Sequence, residues 1–426
     1  MNDAANALPL TEEGFNAFDR WLRSRFISQL RGLRGRTVLI TDALGQAVVE
    51  DPSAAPALEI RVSHPGFYRA IAANGSVGAA EAYMEGYWAC SDLVGLVQLL
   101  VRNRELLDAM ETGPARLGGW LLRGLHSLRR NTRGGARRNI AAHYDLGNSF
   151  FSLFLSSDLM YSSALFVSAG ETLEEASRRK LDVICQKLRL QPEDRVIEIG
   201  TGWGGFALHA ARHYGCHVTT TTISREQHSL AMQRVREEGL EGRVTVLLED
   251  YRDLQGQYDK LVSIEMVEAI GPQYLESYFA KLGQLLTPDG LALLQAITIE
   301  DHRYAQAVRS VDFIKLYVFP GSFIPSINAL LQAKTRACDL ALVHLEDFGA
   351  SYARTLNAWR VRFLDRLPDV QAQGFDERFV RMWEFYLAYC EGGFRERSIG
   401  VAHLLFSKPG QREAGYFAHP LRTLEA

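Results

Sequence analysis

Between residues 195 and 299 the chain alternates two patterns. Short β-branched or aliphatic runs at 196–199, 217–223, 244–248, 260–264 and 291–298 end at glycine, hydroxyl or acidic residues. The stretches between them have helical spacing: 206–214 is alanine-rich without Gly or Pro, the helix after 223 opens on Ser224, and 274–286 is stopped by Pro288, Asp289 and Gly290. Strands alternating with helices predict a parallel sheet with right-handed crossovers. Runs at 340–343 and 401–406 add two final strands, and the fold class is α/β with seven strands. Upstream, Thr172 followed three residues later by Glu175 predicts a capped amphipathic helix reaching Leu190.

The N-terminal part reads differently. Residues 15–110 suggest a small mixed unit, with strands around Val38, Leu39 and Ile40 and at Leu58, Ile60 and Val62, a turn at 42–46, and helices at 67–73 and 93–107. Nothing there has catalytic spacing, so it reads as a packing or docking unit. Residues 299–340 and 350–398 are dense in Phe, Tyr and Trp and predict a largely helical cap over the sheet; the tail after Lys408 is expected to be poorly ordered.

At 426 residues the chain exceeds one small core. Its parts divide as 1–111, 112–140 and 141–426. The net charge of −3 gives no general case for nucleic acid. Residues 112–140 nevertheless carry Arg116, Arg123, Arg129, Arg130, Arg133, Arg137 and Arg138 among Trp120 and several leucines. That composition suits an anionic lipid surface and equally an interdomain linker with a solvated basic face. The five cysteines are scattered, which argues against a disulfide framework or structural zinc and for a reducing compartment. The first residues lack a signal-peptide pattern, and no apolar run reaches the ~20 residues of a membrane span. A cytoplasmic protein able to touch a membrane is expected.

Candidate chemistry centres on Gly200, Gly202, Gly204 and Gly205, between the first strand of the alternating series and its helix. Glycines there let backbone approach a ligand, and the helix N-terminus presents free N–H groups. No Lys-Ser/Thr pair follows, so the loop is not a phosphate-gripping P-loop. Ligands of such sheets lie beyond the strand carboxyl ends, so this loop, Asp250, Glu268 and Gln295 should converge on one crevice. Residues 141–166, with His143, Tyr144, Asp145, Asn148 and Tyr161, are too polar at fixed points for plain core. His209, His213 and His217 lack metal spacing, and no metal is expected.

Several ordered segments together carry a resemblance: AHYDLGN, MYSSALF, EIGTGWGG, TISREQ, LLEDYRDL, SIEMVEAIG, FIPS, FGASY and the aromatic run from Arg378 to Arg397. The chain resembles the cyclopropane-fatty-acyl-phospholipid synthases, and their mycolic acid relatives, from about residue 40 to about residue 407. The resemblance implies a Rossmann-like methyltransferase sheet using S-adenosylmethionine (SAM) on the double bond of an unsaturated phospholipid acyl chain. It implies SAM contacts from Tyr161, Ser162, Gly200, Thr201, Gly202, Gly204, Thr222, Gln227, Asp250 and Tyr251. It implies a bound bicarbonate as base, held by Glu268, Tyr352, Ile297 and the positions of Ser163 and Gln295. Ser163 stands where the family usually has Cys, and Gln295 where it often has His. The reaction implied is methylene transfer closing a cyclopropane ring through a carbocation, with a methylene- or methyl-branched product as the alternative. The resemblance also suggests a homodimer and peripheral attachment to the inner face of the membrane.

Overall fold

The computed structural model describes residues 14–51, 57–105 and 146–412. The basic 112–140 segment, His143, Tyr144, Asp145 and the C-terminal tail from residue 413 lie outside these. The N-terminal unit holds the helix Ala17–Leu30, strands β1 (Val38–Asp42), β2 (Gly45–Val49), β3 (Leu58–Val62) and β4 (Trp88–Cys90), and helices Gly66–Met84 and Leu93–Arg102. Its sheet runs β2-β1-β3-β4. The helix Ala17–Leu30 has no counterpart in the sequence expectation, because Phe18 and Trp21 face outward and blur its apolar stripe. The expected 67–73 helix extends to Met84 by kinking at Gly75, whose φ of 57° only glycine adopts at little cost.

The main sheet comprises β5 (Arg195–Ile199), β6 (His217–Thr222), β7 (Val244–Leu248), β8 (Tyr258–Ile264), β9 (Leu286–Ile299), β10 (Ala341–Asp347) and β11 (Ile399–Ser407). Its order is β10-β11-β9-β8-β5-β6-β7. Strands β5 to β9 are parallel, and β11 runs antiparallel to both β9 and β10. The chain thus has the predicted α/β class and seven strands. The helix Leu173–Leu188 carries the expected capping box of Thr172 and Glu175, and Ser224 caps Arg225–Glu237 by accepting from the Gln227 N–H. Pro288 to Gly290 fall inside the irregular start of β9, where the β8 register shifts, rather than beyond the helix as a separate stop.

One sheet face packs on Leu275–Leu285 and Ile327–Ala337. The opposite face packs on Leu173–Leu188 and Gly205–Tyr214. The helix Ile327–Ala337 is therefore a sheet-covering helix, not part of the expected cap. The cap is built by Gly349–Asp365 and Glu377–Arg395, whose aromatics Trp359, Phe363, Trp383 and Phe385 share one apolar core with Tyr83, Trp88 and Leu96 of the N-terminal unit. Arg381 reinforces that seam by donating to the carbonyls of Tyr83 and Trp88.

Candidate active site

A cavity of about 1230 Å³ runs from the glycine turn after β5 to the helix Ala17–Leu30. Its inner end is lined by Gly200, Thr201, Gly202, Thr222, Gln227, Asp250 and Tyr251. Tyr161, Ser162, Glu268, Ile297 and Tyr352 line it as well, whereas Gly204, Ser163 and Gln295 lie behind the wall. The glycines have separate reasons. Gly202 has φ 53° and open space where a Cβ would stand, so a side chain there would enter the cavity. A Cβ on Gly205 would meet Met160 Sδ at 2.5 Å, so that glycine serves packing.

Around the turn, the Thr220 hydroxyl lies 2.6 Å from Glu198 Oε2 and 2.7 Å from Thr201 Oγ1. Glu198 is buried and lines the same space; sequence reasoning passed over it as a strand residue. Burial pushes its carboxyl up to about 8, against the Thr220 hydrogen bond and the Lys180 charge. Thr222 donates to Gln227 Oε1 at 2.8 Å, which leaves the Gln227 amide N–H₂ for a ligand. Asp250 is clamped by Arg252 at 2.8 and 2.6 Å, and Tyr251 stands edge-on to Tyr278. Ser162 Oγ accepts from Lys180 Nζ at 2.8 Å. Lys180 is fully enclosed, and burial pushes its ammonium down to about 8 despite Asp158, Glu265 and Glu198 nearby.

The expected base site is organised by Glu265, which the sequence places at the end of the fourth strand of the series but not among the site residues. Glu265 directly follows β8 in left-handed backbone, φ 49°, which is costly for a non-glycine residue. Its Oε1 accepts from the Ser163 N–H at 2.9 Å and from the Gln295 amide at 2.6 Å; its Oε2 accepts from the Tyr352 hydroxyl at 2.7 Å. Glu268 lies one turn on, where its Oε1 accepts from the Ile297 N–H at 2.6 Å and its Oε2 is buried with no partner among the described residues. All the donors assigned by resemblance to a bicarbonate are thus engaged by two carboxylates of the chain itself. Burial raises the Glu265 carboxyl above its ordinary value, opposed by its three donors and by Lys180. Burial, then the neighbouring Glu265, pushes Glu268 up to about 8. Burial holds Tyr352 well above its ordinary value, so it stays a neutral donor. The usable signal for Glu265 was its place as the first residue after the fourth strand of the series.

Aromatic faces close the site. Tyr161 packs 5.3 Å from Trp359 and 6.1 Å from Phe319 between ring centroids, and its hydroxyl lies 3.0 Å from that of Tyr386. Farther out the lining turns apolar with Leu22, Phe26, Ile71, Trp88, Leu96 and Val97. The N-terminal unit is therefore a wall of the cavity as well as a packing partner.

Residues 131–404 match the family model described as mycolic acid cyclopropane synthetase. The chain belongs to this family. It is 37% identical over 373 residues to the cyclopropane-fatty-acyl-phospholipid synthase of Escherichia coli K12, covering 87% of this chain and 93% of that protein. It is 39% identical over 351 residues to the tuberculostearic acid methyltransferase UfaA1 of Mycobacterium tuberculosis, covering 78% and 79%. Among solved structures, the mycolic acid cyclopropane synthase CmaA1 complexed with SAH and CTAB superposes with a TM-score of 0.60 at 28% identity, over 64% of this chain and 98% of that one. Membership in the cyclopropane synthetase family makes the seven-stranded sheet a SAM-dependent methyltransferase sheet, and the enzyme a SAM-dependent transferase.

Proposed function

We propose that this enzyme transfers a one-carbon unit from SAM to the double bond of an unsaturated phospholipid acyl chain, closing a cyclopropane ring. One observation carries the proposal: a buried carboxylate with three fixed donors stands where a glycine turn meets a long apolar cavity. The turn, the Gln227 amide and the ionisable Glu198 and Asp250 fit a zwitterionic, adenosine-bearing cofactor, and CmaA1, solved with SAH, shares the fold. Bound there, SAM supplies an electrophilic methyl group. The chain supplies the rest. The apolar cavity holds the acyl chain and excludes water. The rings of Tyr161, Phe319 and Tyr386 face the space where the alkene carbon becomes cationic. Glu265 then takes a proton.

In this reading the Glu265 carboxylate occupies the place of the bicarbonate. The residues present do not fit that ion, because Ser163, Gln295 and Tyr352 already donate to Glu265 and Ile297 to Glu268. A resident base fixed to the end of β8 also supports a second reading. Both the ring and an exocyclic methylene lose their proton from the transferred carbon. Direct loss closes the ring, whereas a hydride shift that first moves the cation to the methyl-bearing carbon gives the methylene branch. Only a separate hydride donor turns that branch into a saturated methyl branch. The similarity to a tuberculostearic acid methyltransferase favours weighing the branched outcome.

The lipid reaches the cavity from a membrane surface, to which the enzyme attaches peripherally. No helix among the described residues is long and apolar enough to cross a membrane. At the cavity's outer end Phe18 and Trp21 are 57% and 55% exposed, with their rings stacked at 5.9 Å. Arg25 lies over Trp21 and Arg20 is exposed beside it. An aromatic pair flanked by arginines suits anionic lipid headgroups, each cation contributing ~1 kcal/mol.

The test is product analysis. Purified enzyme, SAM and vesicles of unsaturated phospholipid are incubated, and the released fatty acids are examined by mass spectrometry and NMR. A gain of one CH₂ with cyclopropyl protons supports ring closure. Vinylidene protons or a methyl branch support the second reading. An absence of product from every unsaturated phospholipid, with SAM bound, sinks both.

A further inference from the structure

Glu265 sits at one end of a buried polar rung that crosses four adjacent strands. His403 on β11 is the register partner of both Gln295 on β9 and Glu346 on β10. Gln295 in turn pairs with Ile264, the last residue of β8, and the Glu265 N–H donates to the Gln295 carbonyl. Lys187, in the last turn of Leu173–Leu188, reaches this rung from the sheet face. Lys187, Gln295 and His403 are all fully buried, and the Phe348 ring packs 4.6 Å from that of His403.

The bonds along the rung fix one another's direction. Lys187 Nζ is ion-paired with Glu346 and lies 2.9 Å from His403 Nδ1. An ammonium only donates, so His403 Nδ1 must accept and its proton must sit on Nε2. His403 Nε2 lies 3.0 Å from Gln295 Oε1, so it donates there. The Gln295 amide is thereby held with its nitrogen toward Glu265, to which it donates at 2.6 Å. Turned over, the amide would set an oxygen against the carboxylate.

We propose that Lys187 and His403 are positioning residues, which lock the Gln295 amide so that Glu265 is presented as a carboxylate to the reacting chain. The proposal rests on the reading of Glu265 as base. It gives a buried ammonium and a buried imidazole a part in catalysis although neither lines the cavity. A glutamine cannot relay a proton, so the rung orients the site and does not drain it. The other ionisable groups facing these residues are Tyr352, Lys180 and Glu268 around Glu265, and His344 and Lys180 around His403.

Two replacements at one position separate orientation from charge, because His403 is neutral in this arrangement. His403→Leu removes the donor to Gln295; His403→Gln keeps an acceptor for Lys187 and a donor for Gln295. The readout is the protonated-carboxyl infrared band of Glu265, identified by its loss in Glu265→Gln and followed against pH without substrate. His403→Leu should move the midpoint up by about one pH unit, a tenfold change in proton affinity, while His403→Gln stays near the parent. With lipid, kcat in His403→Leu should fall about fivefold at the parent midpoint, where the ionised fraction drops from one half to about one eleventh, while KM for SAM holds. A folded His403→Leu protein with the parent midpoint overturns the proposal. If that variant does not fold, Lys187→Met is read the same way, with an unmoved midpoint again the overturning result. A shifted midpoint in an enzyme that makes no acyl product would sink the proposed reaction and leave the positioning role standing.

Discussion

Replacing Glu265 with glycine is the most informative perturbation, because it removes the proposed base and the strained backbone together. Glu265 sits at φ 49°, and releasing a non-glycine residue from left-handed backbone returns ~1–2 kcal/mol. Against this, the Ser163 N–H, the Gln295 amide and the Tyr352 hydroxyl lose their acceptor. Each buried donor left unpaired costs ~1–3 kcal/mol, so the variant should be less stable by a few kcal/mol. A small carboxylate-like anion entering the vacated space would meet the same three donors. Formate or bicarbonate should therefore raise the Tm of Glu265→Gly and leave that of the parent unchanged. Loss of a general base lowers kcat by ~10²–10⁴-fold, equivalent to ~3–5 kcal/mol of barrier. The assay is CH₂ transfer from SAM into vesicle lipid, measured by mass, with increasing formate or bicarbonate. Saturable recovery of turnover is expected, with KM for SAM unchanged. Parent-like turnover in anion-free buffer would refute the assignment of Glu265 as base. Anion-induced stabilisation without recovered turnover would place the base elsewhere, with Glu268 the next carboxylate in reach.

Other expectations follow from the same geometry. Tyr352→Phe removes the donor to Glu265 Oε2, so the carboxyl should titrate higher, and the acid limb of the kcat–pH profile should move to higher pH with a roughly tenfold loss of kcat at neutral pH. Glu198 has its carboxyl raised from 4.5 to about 8, so its contribution to stability is fully present below 4.5 and is lost as pH rises through about 8. Glu198→Gln should therefore raise the Tm of the SAM-free protein increasingly between those limits, while calorimetry shows weaker SAM binding; an unchanged SAM affinity would remove Glu198 from the cofactor site. Phe18→Ser with Trp21→Ser should weaken co-sedimentation with anionic vesicles at least several-fold and leave SAM affinity intact, since both side chains are more than half exposed. Undiminished vesicle binding would move the membrane contact to another surface.

Local features were legible in the sequence because they close over a few residues. The capping box of Thr172 and Glu175, the Ser224 cap and the strand–glycine turn–helix unit all depend on neighbours within one or two turns. The cap aromatics were legible in composition, but their division was not. Helix Ile327–Ala337 covers the sheet and Gly349–Asp365 covers the cavity because of what each meets across the fold. The helix Ala17–Leu30 was missed for a physical reason: a helix that sets Phe18 and Trp21 outward does not show the one-sided stripe of a helix serving only a core.

The choice between Glu265 and Glu268 shows where reading along the chain stops. Both stand in one short segment after the same strand, and motif matching selects Glu268. What separates them is the partner set: Glu265 gathers a backbone N–H from the 161–163 segment, an amide from β9 and a phenol from the helix Gly349–Asp365, while Glu268 is held through Oε1 by the Ile297 N–H and its Oε2 has no partner among the described residues. Three donors from three separate elements, holding a residue in strained backbone, are what a pre-organised site requires, since each element fixes one direction of approach. The same logic accounts for Gln295. A residue unable to carry a proton suits a site whose base is already part of the chain, and its buried partners His403 and Lys187 become intelligible as the means of keeping the amide turned the right way.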